Sequence, residues 1–414
     1  MKIVFTGERS RGAPLTWGQR HVRRTASASS QVRVLDLPGL PVPRVADALA
    51  QLVGRHEALR TRLAGEDEQR VSDHGTLAVD CGPALSADEL TGPFDDQEEW
   101  PLRVGLVTAG PPDGAAVRQV VLVSGPLAVD HNGAEIVVKD LGLLLRGALP
   151  VRSAAQPADD AAFQRSVSGT RLTSRAVRFW TDELRRVEPP PVGPPGTAWS
   201  VTLRSSAMDV AAHSIAARHG VSAATVYLAA TAAVVGTLAG SRVTGLRAVV
   251  SNRFYPDRRD VVATIAQDGV VVLDLAVPSF GELVQQAWRM TMRSHRFARY
   301  DPDAMASAVD TDSFPCFDDS RLARRDWALP SEAKLRAVAE GSTLTSSAAS
   351  AGGLALAVDG SGASARADTM ARSDLGSCLS ALESLLVTAA FRDVAMGELG
   401  ALVARPPGSV VPPA

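Results

Sequence analysis

A proline-rich stretch constrains the fold of this chain more than any other feature of its sequence. From Glu188 to Gly196 the chain reads EPPPVGPPG, and proline ends a helix because it lacks the amide donor and clashes with the preceding turn. The 414 residues also exceed what one hydrophobic core usually holds. We therefore predict two lobes, 1–190 and 197–404, followed by a loose proline-rich tail at 405–414.

The composition is that of a soluble globular protein, with 45% hydrophobic and 21% charged residues. A net charge of −2 provides no field that attracts nucleic acid or an anionic membrane. Cys81, Cys316 and Cys378 are widely separated and lack the spacing of a metal site or a disulfide framework. No signal peptide or membrane span is predicted. We expect a cytoplasmic protein with no metal site and no nucleic-acid or membrane partner.

Apolar residues at helical spacing occur on both sides of the proline stretch. They predict helices at Val45–Leu63, Glu135–Leu145, Ala161–Val187, Ala207–His219, Ala223–Leu238 and Phe280–Ser294. Short β-branched runs predict strands at Val117–Ser124, Thr244–Val250 and Gly269–Leu275, with a hairpin near Leu354–Ala363. Because both halves mix helices and strands, the predicted fold class is α/β (α+β).

Several separated segments resemble, in order, the motif series of nonribosomal-peptide condensation domains. Arg55–Thr61 (RHEALRT) is similar to the second motif of that family at every position and is the most specific match. The opening motif resembles Leu15–Gln19 (LTWGQ). The other matching segments are Pro101–Arg103, Phe163–Arg165, Phe179–Trp180, Ser251–Arg253, Ala266–Gly269 and a late loop at Phe317–Arg321.

The decisive motif of the family is two adjacent histidines, three variable residues and Asp-Gly, on the loop that follows a strand. We align Asp130 with the motif aspartate, because Asp140-Leu141 then lies ten residues later, where the family has an acidic residue and leucine. In this register Gly125 and Pro126 replace the two histidines, and His131 replaces the glycine. The usual catalytic base is therefore missing.

The resemblance assigns roles to the residues around this motif. Asp130 is expected to form a structural salt bridge with Arg253 or Arg60, and it is also placed to cap the following helix. His131 is either a relocated catalytic base or a residue that packs locally. Asn132 is a candidate for orienting a substrate, or else a turn residue. The full set of expected substrate-binding residues is Trp17, Ser124, Asn132 and Ser251.

The remaining histidines and tryptophans are expected to be structural. His56 belongs to the second motif, whose role in the family is structural support. His213 and His219 lie on a predicted surface helix. We interpret Trp180 and Trp288 as core residues.

The resemblance implies two chloramphenicol-acetyltransferase-like lobes that form a V with a central tunnel. It further implies a free-standing acyltransferase of bacterial specialised-metabolite biosynthesis. Such an enzyme would act on a peptidyl or acyl thioester by amide or ester formation or by cyclisation. Orientation of the reactants would then provide part of the rate acceleration that the missing base would otherwise supply. The chain itself would need no cofactor, since phosphopantetheine would be attached to a carrier protein acting in trans.

Two alternatives remain open at this point. The chain could be a catalytically inactive docking module that recruits tailoring enzymes or carrier proteins, and this alternative predicts an exposed apolar or arginine-rich patch. It could also be a ligand-binding or regulatory protein, for which the sequence provides no positive signal.

Overall fold

The computed structural model describes residues 1–25, 29–110, 115–150, 155–188, 196–321, 329–350 and 352–403. By its internal contacts the chain divides into two compact units. The first contains Met1–Ser174, Ser251–Gln267 and Arg299–Asp303, and the second contains Arg175–Val250, Asp268–Ala298 and the chain from Ala304 onward.

This division differs from the predicted boundary at the proline stretch. The first boundary between the units follows Ser174. Ser251–Gln267, from the middle of the sequence, belongs to the first unit, and we call it the returning segment. The cause is a set of side-chain contacts made by that segment, described below. Residues 189–195 of the predicted linker and the predicted tail at 405–414 lie outside the described residues.

The strands of the first unit belong to two sheets. In chain order they are β1 (Lys2–Thr6), β2 (Arg11–Pro14), β3 (Gln31–Pro41), β4 (Thr61–Leu63), β5 (Glu68–Val71), β6 (His74–Gly82), β7 (Leu102–Ala109) and β8 (Ala116–Ser124). The main sheet has the order β1-β6-β7-β8-β3, in which β6 and β7 are parallel and the other neighbours antiparallel. The small sheet has the order β2-β5-β4.

The first unit contains several helices and one 3-10 turn, and two of these helices share a core with the main sheet. In chain order the elements are α1 (Trp17–Thr25), α2 (Val42–Arg55), the 3-10 turn Glu57–Arg60, α3 (Ala87–Leu90), α4 (His131–Leu145), α5 (Pro157–Gln164) and the start of α6 (Val167–Leu184). Leu49 and Leu52 of α2 share one core with Leu122 of β8 and Leu141 of α4. The sheet and these two helices therefore fix the position of the loop between β8 and α4.

The second unit is built around one seven-stranded sheet. Its strands are β9 (Trp199–Arg204), β10 (Val243–Val250), β11 (Gln267–Asp274), β12 (Cys316–Asp319), β13 (Thr343–Ala348), β14 (Ala355–Asp359) and β15 (Gly362–Ala367). They lie in the order β11-β10-β12-β14-β15-β9-β13. The helices are α7 (Ser206–His219), α8 (Ala223–Leu238), α9 (Phe280–His295), α10 (Pro302–Ala308), α11 (Glu332–Glu340), α12 (Arg372–Ala389), the 3-10 turn Met396–Glu398 and α13 (Leu399–Val403).

Helix α8 is apolar on nearly all sides and is buried from Thr225 to Gly236, as the sequence predicts for a core helix. Among the described residues, no single helix is long and apolar enough to cross a membrane. The pair α7 and α8 passes that test together by length and composition, but it is bent by 107° at the break between the helices.

Most predicted helices and strands are confirmed, and the differences have local causes. The helix predicted at Val45–Leu63 ends at Arg55 because His56 adopts an extended conformation. The helix predicted at Ala161–Val187 is interrupted after Gln164 and resumes at Val167 as α6. These ends depend on backbone geometry that hydrophobic periodicity does not determine.

Two other predictions are wrong. The expected late loop at Phe317–Arg321 begins inside strand β12, which runs to Asp319. Trp288 is not a core residue, because 37% of it is exposed on α9, whereas Trp180 is fully buried.

Candidate functional site

The loop between β8 and α4 carries the motif and is closed by its own backbone. The Gly125 amide donates a hydrogen bond to the Pro101 carbonyl (3.0 Å). The amides of Ala128 and Val129 then donate to the Gly125 carbonyl, at 3.0 and 3.1 Å. Glycine and proline side chains have no atom that accepts a proton. The two positions of the usual histidines therefore contribute backbone contacts alone.

Asp130 lies at the centre of the loop and holds it in place. Its carboxylate caps α4 by accepting from the Gly133 amide at 2.8 Å. It also accepts from the Ile265 and Ala266 amides at 3.0 Å each. The Arg253 guanidinium forms a two-point ion pair with it, at 2.9 Å for both contacts. With one cation and three amides bound, this carboxylate is engaged in structure.

Arg253 connects the loop to the segment that returns from the middle of the chain. Besides Asp130, it donates to the carbonyls of Val261 at 3.1 Å, Ala263 at 2.8 Å and Ser251 at 3.3 Å. Its side chain is only 8% exposed. Every contact is charge-assisted, and so the guanidinium fixes the path of 251–265 against the motif loop.

Arg60, the other residue considered as a partner of Asp130, lies elsewhere in the first unit. Its guanidinium donates to the backbone carbonyls of Gly54, Arg9 and Ser72. Burial lowers the pKa of this arginine. Arg60 therefore supports the β1–β2 region, and Arg253 alone of the two contacts Asp130.

His131 is the first residue of α4, and its ring faces strand β3. Its Nδ1 atom lies 3.0 Å from a terminal nitrogen of the Arg33 guanidinium. Because a guanidinium has donors and no acceptor, Nδ1 must be the acceptor, and a neutral ring then carries its proton on Nε2. Arg33 also donates to the His131 carbonyl and to Glu135, at 3.2 and 2.5 Å.

This arrangement bears on the possible role of His131 as a base. A general base needs a free lone pair within reach of the substrate proton. The lone pair of His131 Nδ1 is occupied by Arg33 in this geometry. The predicted catalytic role would require the Arg33 contact to break.

The second motif supports helix α4 from its other end. His56 Nε2 lies 3.0 Å from the Asp140 carboxylate, and both side chains are 5% exposed. Burial lowers the pKa of His56, and the hydrogen bond to Asp140 opposes that effect without reversing it. Asp140 is the acidic residue that fixed the motif register in the sequence. The second motif and the motif helix are thus joined by one buried contact.

The opening motif forms a capping box at the start of α1. The Thr16 amide donates to the Gln19 side-chain oxygen at 2.8 Å, and the Gln19 amide donates to the Thr16 hydroxyl at 3.2 Å. Gly18 packs against the returning segment, because a Cβ atom at that position would lie 2.1 Å from the Thr264 carbonyl oxygen. A side chain larger than hydrogen is excluded there.

The residues predicted to bind substrate occupy different environments. Trp17 is 2% exposed, and its amide donates to the Gln164 side chain at 2.7 Å. Ser124 is buried at the end of β8, and Asn132 is exposed on the first turn of α4. Ser251 contacts Arg253 through its carbonyl. The structure thus brings Ser251 to the Asp130–Arg253 pair, and the substrate-binding roles of all four residues stay predictions.

Sequence reasoning missed Arg33 and Thr264, which also hold the loop. Arg33 lies 98 residues before His131, and the Thr264 hydroxyl donates to the Pro126 carbonyl at 2.7 Å. Arg33 lies on the edge strand β3 and belongs to none of the matched motif segments. The sequence signal for Thr264 was its position two residues before the matched segment that begins at Ala266.

A second buried ion cluster joins the returning segments to the first unit. Asp160 accepts from both terminal nitrogens of Arg258, at 2.9 and 2.5 Å, and from Arg299 at 2.6 Å. The side-chain amide of Gln164 donates to the same carboxylate at 2.8 Å. This cluster and the Asp130 contacts explain why 251–267 and 299–303 belong to the first unit. Across the described residues, no group of three or more His, Cys, Asp or Glu side chains is arranged to hold a metal ion.

Comparisons with known proteins identify the fold. No protein-family model matches the sequence. A segment of the chain is 31% identical over 169 aligned positions to a probable nonribosomal peptide synthetase, CymA, of Salinispora arenicola (strain CNS-205). That match covers 36% of this chain and 2% of the synthetase.

Solved structures match nearly the whole chain. The condensation domain of the Monacolin K polyketide synthase MokA matches with a TM-score of 0.70 and 16% identity, over 93% of this chain and 99% of that domain. A condensation domain for chain release from the enacyloxin polyketide synthase matches with a TM-score of 0.67 and 16% identity, over 99% and 86%. The X-domain from teicoplanin biosynthesis, solved in complex with OxyB, matches with a TM-score of 0.65 and 17% identity, over 95% and 96%. The chain therefore has the condensation-domain fold, which consists of two chloramphenicol-acetyltransferase-like lobes.

Proposed function

We propose that this chain is a recruitment domain of nonribosomal-peptide or polyketide biosynthesis. In this role it keeps the condensation-domain fold, binds a partner protein in trans and forms no bond itself. The observation that carries the proposal is the state of the motif loop, where both titratable side chains are committed to structural contacts. The partial match to a nonribosomal peptide synthetase supports the biosynthetic setting.

The chemistry of the loop supports a non-catalytic role. Condensation of an amine with a thioester releases a proton from the amine, and a side chain that acts as the general base must come within hydrogen-bond reach of that proton. Asp130 has its acceptor capacity filled by Arg253 and three amides. His131 has its acceptor nitrogen on Arg33. The positions of the usual histidines hold glycine and proline.

The recruitment role itself is supported by a structural relative. The X-domain from teicoplanin biosynthesis has the same fold and is known in complex with OxyB. That complex concerns the X-domain alone, but it demonstrates that the fold can serve as a docking platform. Fold does not determine function, and so it is the altered loop that favours recruitment by this chain.

An acyl-transfer assay separates recruitment from catalysis. The full chain would be incubated with a panel of aminoacyl-pantetheine thioesters and free amines, and amide formation would be followed by mass spectrometry. We expect the rate to equal the protein-free rate for the wild type and for His131→Ala. A catalytically competent condensation domain, assayed in parallel with its own substrates, shows that the assay detects turnover.

Arg146→Ala, which changes an exposed residue at the C-terminal end of α4, is the matched control variant. An acceleration of more than about tenfold by the wild type, lost in His131→Ala and retained in Arg146→Ala, would overturn the proposal in favour of a relocated base. The same acceleration retained in both variants would favour catalysis by orientation alone.

A further inference from the structure

Helix α9 of the second unit presents an unusual mixture of side chains to solvent. Its buried face packs through residues such as Leu283, Ala287 and Met290. On the opposite face, Trp288 and Met292 are 37% and 48% exposed and lie one turn apart. The exposed arginines Arg289 and Arg296 lie about one turn before and after Met292, and the exposed Arg293 lies further round the helix. A large apolar pair is thus bordered by cations on one helix.

Helix α6 extends this surface. The rings of Phe179 and Phe297 stack with their centroids 4.4 Å apart. Arg293 lies 5.5 Å above the Phe179 ring and 3.1 Å from the Glu183 carboxylate. These contacts bring further exposed arginines of the α6 region beside α9, namely Arg175, Arg178 and Arg186. We name the six arginines, with Trp288 and Met292, the arginine face.

The arginine face carries an excess of positive charge. Glu183 contacts two of its members, Arg186 at 2.6 Å and Arg293 at 3.1 Å, and only 6% of the Glu183 side chain is exposed. The neighbouring Asp182 is exposed and pairs with Arg185. In the part of the chain that the structure describes, Glu183 is the one carboxylate in an ion pair with any of the six guanidiniums. Because the whole chain has a net charge of −2, this excess is local.

We propose that the arginine face is a docking surface for an acidic protein. The inference rests on the proposed recruitment function and specifies where the partner binds and what chemistry it presents. Guanidiniums pair well with carboxylates, and their planar geometry favours two-point contacts. Trp, Met and Arg are the residues enriched in protein–protein interfaces, where Trp and Arg contribute most of the binding energy.

The composition of the face favours a protein over a nucleic acid. Trp288 and Met292 form an apolar edge beside the cations, which suits a partner with its own apolar side chains. A nucleic acid is the competing occupant that the test must exclude.

Fluorescence anisotropy with defined probes tests the proposal on the full chain. The acidic probe is an alanine-based helical peptide with one row of glutamates and one row of leucines. The matched probe has glutamine at each glutamate position, and a single-stranded oligonucleotide is the third probe. We expect the acidic peptide to bind at least about tenfold more tightly than the glutamine peptide and than the oligonucleotide. Its affinity should fall as ionic strength rises from about 0.05 to about 0.3 M.

Two sets of variants locate the site. Arg289→Glu combined with Arg296→Glu should weaken binding of the acidic peptide at least about tenfold, and Trp288→Ala about fivefold. The control pair, Arg70→Glu with Arg118→Glu, makes the same change in net charge at exposed arginines of the first unit. It should change the affinity less than about twofold. Circular dichroism melting would verify that each variant is folded.

Each outcome has a distinct meaning. Equal binding of the acidic and glutamine peptides, equal losses in the two variant pairs, or tighter binding of the oligonucleotide would each overturn the arginine face as a site for an acidic protein. The acyl-transfer assay on the same samples tests the proposed function separately. Turnover by the wild type together with selective loss of peptide binding in the α9 variants would refute the recruitment-only role while leaving the surface in place.

Discussion

The motif loop of the first unit and the arginine face of the second use charge in opposite ways. At the loop, the Asp130 carboxylate is matched by one guanidinium and three amides, and Asp130 and Arg253 are about one-tenth exposed. At the arginine face, two of the six exposed guanidiniums contact the buried Glu183. Matched, buried charge thus fixes the backbone and has no free hydrogen-bonding capacity. Unmatched, exposed charge is available to a partner.

Neutralising one charge in each region should have the largest effect on stability at the loop and almost none at the arginine face. Asp130→Asn keeps the side-chain shape but leaves the buried Arg253 without its counter-ion, a change that typically costs about 3–5 kcal/mol. We expect the thermal midpoint of the first unit to fall by about 10 °C. Arg289→Gln, on the arginine face, should shift the midpoint of either unit by no more than about 1 °C. Differential scanning calorimetry would measure both.

The Asp130→Asn, Arg253→Gln double variant completes this experiment. It removes both charges, and so it should be less destabilised than the sum of the two single variants. A midpoint for Asp130→Asn within about 2 °C of the wild type would contradict the structural role assigned to this carboxylate.

The buried His56 should make the stability of the first unit depend on pH. Burial lowers its folded-state pKa below the unfolded value of 6.5, and so the unfolded chain binds the proton more tightly than the folded chain. The stabilisation is therefore complete above about pH 6.5 and is lost as the pH falls towards the folded-state pKa. We expect the thermal midpoint of the first unit to fall by a few degrees from about pH 7.5 to about pH 5.5.

His56→Gln should reduce that fall, because glutamine can still donate to Asp140 but does not titrate. The pKa of His295 is also lowered by burial, but His295 lies in the second unit, and so its contribution should appear in the midpoint of that unit and be the same in the variant and the wild type. An identical pH profile for His56→Gln and the wild type would show that His56 does not contribute.

The sequence contained enough to find the fold and the loop but not its contacts. The distance from Asp130 to Asp140-Leu141 set the motif register, and the matched segment at Arg253 supplied one of two possible partners. The choice between Arg253 and Arg60 depended on which side chain reaches the loop, which only the folded backbone determines. Arg33 had no sequence signal, because its contact with His131 is made across 98 residues from an edge strand.

The arginine face was partly predictable in the same sense. Helical periodicity located α9 correctly, and an arginine-rich patch was the expected signature of a docking module. The pattern did not reveal that Trp288 is exposed, because both faces of α9 carry large apolar residues. Which apolar residues of α9 are covered depends on its packing against α8.

His131 uses its Nδ1 lone pair to hold the loop, and nitrogen NMR of the ring can detect that hydrogen bond. The full chain would be labelled with 15N-histidine, and the His131 signals would be assigned among the seven histidines by comparison with His131→Ala. We expect an unprotonated, hydrogen-bonded Nδ1 and a protonated Nε2, with both signals displaced in Arg33→Met. A proton on Nδ1, or signals that Arg33→Met leaves unchanged, would contradict the structural role of His131 and make it a candidate base again.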